Sequence, residues 1–242
     1  MRHIDAKKRE DEILELIVKG YIEESKPISS GYLCKRFQLP ISTATVRNVM
    51  ESLERKGFLS HLHTSSGRVP TKEAFKYYVE HIEENDTSQD LTLEMEVDVG
   101  EHIEDFLNKS LDILADISGY TSLIAISGLE DRFIYRGMRF IFEQPEFEDI
   151  EKLKSLFYAL EVKIATIQGL LFNYLDEKVK VLVGDDIGCE EISHCSLVIS
   201  GFHKNDLSAS LALIGPMRMD YAKAITSICA ARKRLEKAVK SF

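Results

Sequence analysis

The chain has 242 residues, 44% of them hydrophobic, which is enough to bury a substantial core and suits two modest domains better than one large one. It has no run of eighteen apolar residues, and its first twelve residues are charged throughout, so neither a membrane span nor a secretory leader is expected and the location reads as cytoplasmic. The net charge of −9 argues against nucleic acid only as an average: residues 1–82 hold 14 Lys/Arg and 11 Asp/Glu (+3), leaving 17 and 29 (−12) for residues 83–242. An acidic rear half repels phosphates, so any nucleic-acid contact is expected through the front.

Residues 5–24 put Ile13, Leu14, Leu16, Ile17 and Tyr21 on one helical face, and Pro27 ends that helix. Ser29 or Ser30 then caps a short second helix running to about Phe37, with Leu33 inward. A tight connection, Gln38 to Ile41, leads to a third helix capped by Ser42 and stopped at Gly57. In that helix Val46, Met50 and Leu53 form an apolar stripe. Three such helices, the last two joined by a short turn, follow the helix-turn-helix plan. Phe58 to Leu62 reads as a strand, and His63 to Pro70 as a turn-rich hairpin tip carrying one arginine, Arg68; together they look like a wing. A fourth helix from Thr71 to about Glu84 spaces Phe75, Tyr78, Val79 and Ile82 helically. Residues 1–84 are therefore expected to form a winged-helix domain, residues 85–98 an acidic linker and residues 99–242 a second domain.

Beyond the linker, a helix at 99–117 precedes short apolar runs at 121–127, 132–142, 178–184, 195–202 and 207–214, flanked by helices at 148–174 and 219–240. Strands mixed with long helices indicate an α+β sheet domain.

The N-terminal part of the third helix in a helix-turn-helix points at base edges. Its polar positions are Ser42, Thr43, Thr45, Arg47 and Asn48. Arginine can bond guanine bidentately and asparagine adenine, while Ser42 and Thr43 suit phosphate at the positive helix end. Arg68 is the natural residue to enter a narrow minor groove. Lys7, Lys8, Arg9, Lys35, Arg36, Arg55 and Lys72 are further candidates for phosphate contact. The competing reading leaves Ser42 as a cap, Arg47 and Asn48 in solvent, and Arg68 bonded to its own turn.

Catalytic patterns are weak. Asp185-Asp186 and Glu190-Glu191 read as solvated loops, and His194-Cys195 as a strand entry rather than a metal or nucleophile site. Cys34, Cys189, Cys195 and Cys229 show neither CxxC nor zinc-like spacing and read as reduced and structural. No catalytic residue, cofactor or metal is expected, and the chain does not read as an enzyme.

The segment from Ile41 to Val79 closely resembles the winged-helix region of the HrcA family, bacterial heat-inducible transcription repressors. The resemblance rests on the Ser42–Asn48 start with its Arg-Asn pair, on His-Thr-Ser-x-Gly-Arg-Val-Pro-Thr (His63–Thr71) and on Tyr77–Val79. Phe142–Phe157, with its Pro-Glu-Phe, and Ile214–Ile225, with its Gly-Pro-Met-Arg-Met-Asp-Tyr, resemble two further segments of that family in the same order. The resemblance implies a repressor of chaperone genes that binds an inverted-repeat (CIRCE-type) DNA operator as a homodimer, with a GAF-like C-terminal domain and a GroEL-type chaperonin as a partner. It makes Arg47, Asn48 and Arg68, with Thr43 and Thr45 beside them, the expected DNA contacts, and Gly215, Pro216, Arg218 and Asp220 shapers of the turn into the last helix. Two departures stand out: Val49 replaces the acid that usually follows the Arg-Asn pair, and only Ser127 to Ile141 occupies the interval that holds an inserted dimerising domain in the family. In such a shortened member, the helices at 99–117 and 219–240 are expected to supply the dimer contact. The alternatives are a regulator sensing a small molecule through the GAF-like domain, and an RNA-binding or scaffolding module.

Overall fold

The computed structural model describes residues 2–61, 67–85, 103–128, 131–175, 179–204 and 207–238. The chain divides into two compact units, residues 1–84 and 85–242. The linker expected at 85–98 lies almost wholly outside the described residues, as does the hairpin tip at 62–66.

The first unit is built from α1 (Arg2–Glu24), α2 (Ser30–Arg36), α3 (Thr43–Arg55), β1 (Leu59–His61), β2 (Arg68–Pro70) and α4 (Lys72–Asn85). Ser29, not Ser30, caps α2, its Oγ accepting from the Tyr32 N–H at 3.1 Å. Ser42 caps α3 in the same way, accepting from the Thr45 N–H at 3.1 Å. Gln38, at φ 50°, turns the chain between these helices, and Gly57, at φ 83°, ends the turn after α3. Ile13, Leu14, Ile17 and Val18 of α1 are buried, as are Leu33 of α2 and Val46, Met50 and Leu53 of α3. α1 is tied to α3 by polar contacts as well: Glu10 accepts from Ser52 Oγ at 2.7 Å and pairs with Lys56.

The second unit contains α5 (Ile103–Ser118), β3 (Thr121–Ser127), β4 (Arg132–Arg136), α6 (Arg139–Phe142), α7 (Ile150–Glu161), α8 (Ile164–Phe172), β5 (Lys180–Val183), β6 (Cys195–Lys204), β7 (Leu207–Pro216) and α9 (Tyr221–Ala238). Its five strands form one antiparallel sheet in the order β4-β3-β7-β6-β5. Because side chains alternate along a strand, the sheet has two distinct faces. Leu123, Ala125, Leu197, Ile199, Ala212 and Ile214 form one core with α7 and α8. Ser122 and Ser196 point the other way, Ser122 Oγ donating to the Leu111 carbonyl of α5 at 2.8 Å and Ser196 Oγ lying 2.8 Å from Tyr221 Oη of α9. The unit is thus a sheet with helices on both faces, an α+β arrangement.

Three expectations change in this unit. The run at 132–142 is not one strand: Gly137, at φ 78°, turns the chain, and α6 follows. A Cβ at Gly137 would stand 2.4 Å from Ala115 Cβ, so the corner needs glycine for space as well. The helix at 148–174 is two helices bent by 75°, although no glycine or proline stands at the break. There the Val162 and Lys163 N–H groups both reach the Tyr158 carbonyl, at 2.9 and 3.3 Å, and close α7. Finally, α5 and α9 have spent their apolar faces inside the unit: Phe106, Leu107, Leu111 and Leu114 of α5 and Tyr221, Ile225, Ile228 and Leu235 of α9 are all buried. Among the described residues, neither helix leaves a large apolar side chain exposed.

Among the described residues no single helix is long and apolar enough to cross a membrane.

Candidate nucleic-acid interface

The amphipathic sequence of α3 decides which side chains reach solvent. Burying Val46, Met50 and Leu53 turns Thr43, Ala44, Arg47, Asn48 and Glu51 outward. Arg47 and Asn48 are neighbours on this exposed face, and neither side chain is engaged by another described residue. Ser42 and Thr45 are engaged differently: the Ser42 hydroxyl caps the helix and lies 2.9 Å from Thr45 Oγ1, so these two hydroxyls hold the first turn together. Thr43 stands exposed beside them.

β1 and β2 form an antiparallel ribbon, with Leu59 opposite Pro70 and His61 opposite Arg68. Thr71 closes its base, its Oγ1 donating to the Gly57 carbonyl at 2.7 Å. On its other edge β2 is bridged to the segment before α2, with Ile28 and Arg68 exchanging two backbone hydrogen bonds of 2.8 Å. The approach is close: a Cβ on Gly67 would stand 2.7–2.9 Å from Pro27 atoms, including its backbone. The two-stranded ribbon is therefore strapped to the helical bundle.

Arg68 is not at the hairpin tip. It lies in β2, its side chain 16% exposed, with Nε donating to Glu54 Oε2 of α3 at 2.7 Å and Nη1 lying 2.8 Å from His61 Nδ1. A guanidinium held by a carboxylate on one helix and an imidazole on the facing strand is a strut between ribbon and α3. The sequence located this arginine but not its partners; Glu54, His61 and the Pro27–Ile28 strap carried no local signal, although the glycine next to Arg68 marked a close approach.

Of the other basic residues, Lys7, Lys8, Arg9, Lys35 and Arg55 are exposed. Arg36 is shared with Glu23 at 3.2 Å.

Cys189 and Cys195 do not make a reactive site. All four cysteines are free, and complete burial pushes the Cys195 thiol far above its ordinary range. Burial, then a hydrogen bond to Glu191 at 3.3 Å, raises Cys189. Glu191 is itself drawn down to about 2, first by Lys163. Burial lowers the His194 imidazole, whose Nε2 is enclosed without a hydrogen-bond partner against the Phe147 ring. A thiol held protonated beside an imidazole held neutral has no thiolate to attack with. Among the described residues no group of three or more His, Cys, Asp or Glu side chains is arranged to hold a metal.

The motifs near the C-terminus converge on one corner. Arg218 forks onto Glu146, with Nε 2.5 Å from Oε1 and Nη2 3.1 Å from Oε2, and Nη2 also reaches Gln144 Oε1 at 3.0 Å. Asp220 caps α9 through the Lys223 N–H, and its own N–H donates to Tyr120 Oη at 2.7 Å. Gly215 leaves room for the Tyr120 ring, which a Cβ would meet at 2.7 Å. These residues shape the turn into the last helix.

Two compact units, one presenting a polar helix face beside a strapped ribbon and the other a helix-covered antiparallel sheet, define the class of protein. The comparisons with known proteins agree with it. Residues 124–225 match the family described as "HrcA protein C terminal domain". Heat-inducible transcription repressor HrcA of Oceanobacillus iheyensis is 26% identical, over 88% of this chain and 92% of its own length. The protein of the same name from Mycoplasma genitalium is 24% identical, over 95% of this chain and 96% of its own. A crystal structure of a hypothetical protein superposes with a TM-score of 0.77 over 96% of this chain and 98% of that one, at 16% identity, and so shares the fold. Over these spans the chain is similar to the HrcA family. The Oceanobacillus alignment spans 315 residues against the 242 of this chain, so that relative carries residues with no counterpart here.

Proposed function

We propose that this chain is a heat-inducible transcriptional repressor, a regulator rather than an enzyme, acting in the bacterial cytoplasm. Its first unit is read as a winged helix-turn-helix, α3 being the recognition helix and the β1–β2 ribbon the wing. Its second is read as a GAF-like domain. The observation that carries this is the outward face of α3: Arg47 and Asn48, side by side and unengaged by described residues, opposite an apolar stripe that fixes the helix on the bundle. These two residue types read guanine and adenine in the major groove. Thr43 adds a phosphate contact at the helix start, and Ser42 and Thr45 hold that start in place. Arg68 serves as a positioning residue that sets the wing against α3.

The target is an inverted-repeat duplex read by a homodimer, as the family resemblance leads us to expect. A GroEL-type chaperonin is the protein partner that the same resemblance implies. A small-molecule sensor is the weaker reading, because the core between the sheet and α7 and α8 is largely apolar, with Thr121 and Ser210 among the buried side chains of that sheet face.

Fluorescence anisotropy of the purified protein against a labelled inverted-repeat duplex and a scrambled one, at near-physiological salt, tests the proposal. Preference for the repeat by roughly a thousandfold or more is the expected result. Equal, weak binding to both would overturn it.

A further inference from the structure

Of the two acids in α3, only Glu54 has a task inside the first unit. It takes the Arg68 guanidinium at 2.7 Å and belongs to the strut beneath the ribbon. Glu51 is exposed, and no described residue engages it. Arg47 and Arg55 stand one turn before and one turn after it, exposed as well, yet among the described residues neither pairs with it.

Helix geometry places Glu51 more narrowly than exposure does. Successive residues of an α-helix turn by about 100° and rise by about 1.5 Å. Glu51 therefore stands roughly 40° round from Arg47 and roughly 60° from Asn48, between the two, and about 6 Å beyond Arg47 along the axis. Ala44 lies in the same strip one turn before Asn48 and adds only a methyl group. The buried stripe of Val46, Met50 and Leu53 is on the other side of the helix.

A carboxylate on a helix that approaches DNA is unfavourable beside phosphate, because it opposes the counterion release that drives binding. At an edge of the contact face it would meet a phosphate row; in the middle of the face it meets base edges. The amino donors displayed in the major groove are adenine N6 and cytosine N4. Adenine sets its N7 acceptor beside the amino group, and a carboxylate, which has no donor to offer, is repelled there. Cytosine has no such acceptor beside its amino group.

We propose that Glu51 is a specificity-determining residue that accepts a hydrogen bond from the N4 amino group of a cytosine in the operator. The inference rests on the reading of α3 as the recognition helix. It completes a division of labour on one strip, with Arg47 for guanine, Asn48 for adenine and Glu51 for cytosine.

The test replaces the cytosines of the inverted repeat with N4-methylcytosine, one position at a time in both half-sites, and measures binding by fluorescence anisotropy. N4-methylcytosine still pairs with guanine, but its methyl group takes the place of the hydrogen that faces the groove. The wild type should lose roughly tenfold at one position, as expected for loss of a good base contact, and Glu51→Ala less than about twofold there. Glu51→Gln should change the preferred base at that position from cytosine to adenine, because an amide both donates and accepts. Glu51 is exposed, so both variants should melt with the wild type. A wild type insensitive at every cytosine, or a sensitivity that survives in Glu51→Ala, overturns the proposal. So does a Glu51→Ala protein that binds repeat and scrambled duplexes more tightly by the same factor, which would make Glu51 a repelling charge only. In each of these cases a wild type that still prefers the repeat leaves the repressor standing. A wild type that ignores the repeat removes the repressor reading, and this contact with it.

Discussion

Arg218 grips Glu146 with both edges of its guanidinium, Nε to Oε1 at 2.5 Å and Nη2 to Oε2 at 3.1 Å, across 72 residues of sequence. The pair joins the turn after Pro145 to the turn into α9, so two distant motifs form one corner. Its side chains are 11% and 27% exposed. Breaking a bidentate pair this sheltered strands a carboxylate that water reaches poorly. Arg218→Ala should destabilise the second unit by about 2 kcal/mol in urea unfolding, and Arg218→Lys should recover less than half, because an ammonium cannot reproduce the fork. A loss within ~0.5 kcal/mol would mean that the corner is held by its backbone turns alone.

The Arg68–Glu54 pair makes an opposed prediction about DNA. Removing a carboxylate beside the proposed DNA-contacting helix strengthens binding if electrostatics alone decide, and it frees Arg68 for phosphate. If the pair is a strut, Glu54→Gln instead loosens the wing against α3 and weakens binding to the inverted repeat. The expected result is roughly fivefold weaker specific binding, about 1 kcal/mol, in an anisotropy titration at fixed salt. Stronger binding would show that electrostatics, and not the strut, decides.

Features written in short stretches of sequence were legible, and those made by distant residues were not. Ser42 announces its cap because the groups it serves lie within three residues, and the α3 stripe follows from helical period alone. The arginine of the wing was visible, yet its place in β2 depends on Ile28, which bridges it from 40 residues upstream. Nothing in the apolar run at 132–142 separates a strand from a strand and a helix except Gly137, whose need is set by Ala115 on another element. The break between α7 and α8 has no glycine or proline at all. Periodicity also gave no sign that Ile150, Tyr158 and Val162 stay exposed, since an exposed apolar row and a buried one have the same spacing.

Glu10 links α1 to α3 and carries a pH signature. Its carboxyl lies below the ordinary 4.5, first because Lys56 hydrogen-bonds it and then because Ser52 does, and burial opposes the shift only in part. A carboxyl lowered in the folded state stabilises above its unfolded value and loses that contribution as pH falls through the folded value. Glu10→Gln should therefore cost stability at pH 7, and its deficit against the wild type should shrink progressively below about pH 4.5. Urea midpoints at pH 7, 5, 4 and 3 measure this. A deficit constant across the series would assign the loss to packing rather than to charge.

Arg47 separates base reading from simple attraction to phosphate. It stands on the exposed face of α3 beside Asn48, one helical turn after Thr43. A bidentate contact to guanine is worth ~1–3 kcal/mol of discrimination against the wrong base. Arg47→Ala should weaken binding to the repeat by that amount while leaving the scrambled duplex nearly unchanged. Thr43→Ala, losing a phosphate contact, should weaken both duplexes by a similar small factor. Anisotropy titrations at two salt concentrations add a second readout for Arg47, because loss of a cationic phosphate contact lowers the salt slope by about one, whereas the neutral Thr43 releases no counterion. If Arg47→Ala weakens both duplexes equally and flattens the slope, then Arg47 is a phosphate clamp, and Asn48 and Glu51 become the residues on α3 left to read sequence.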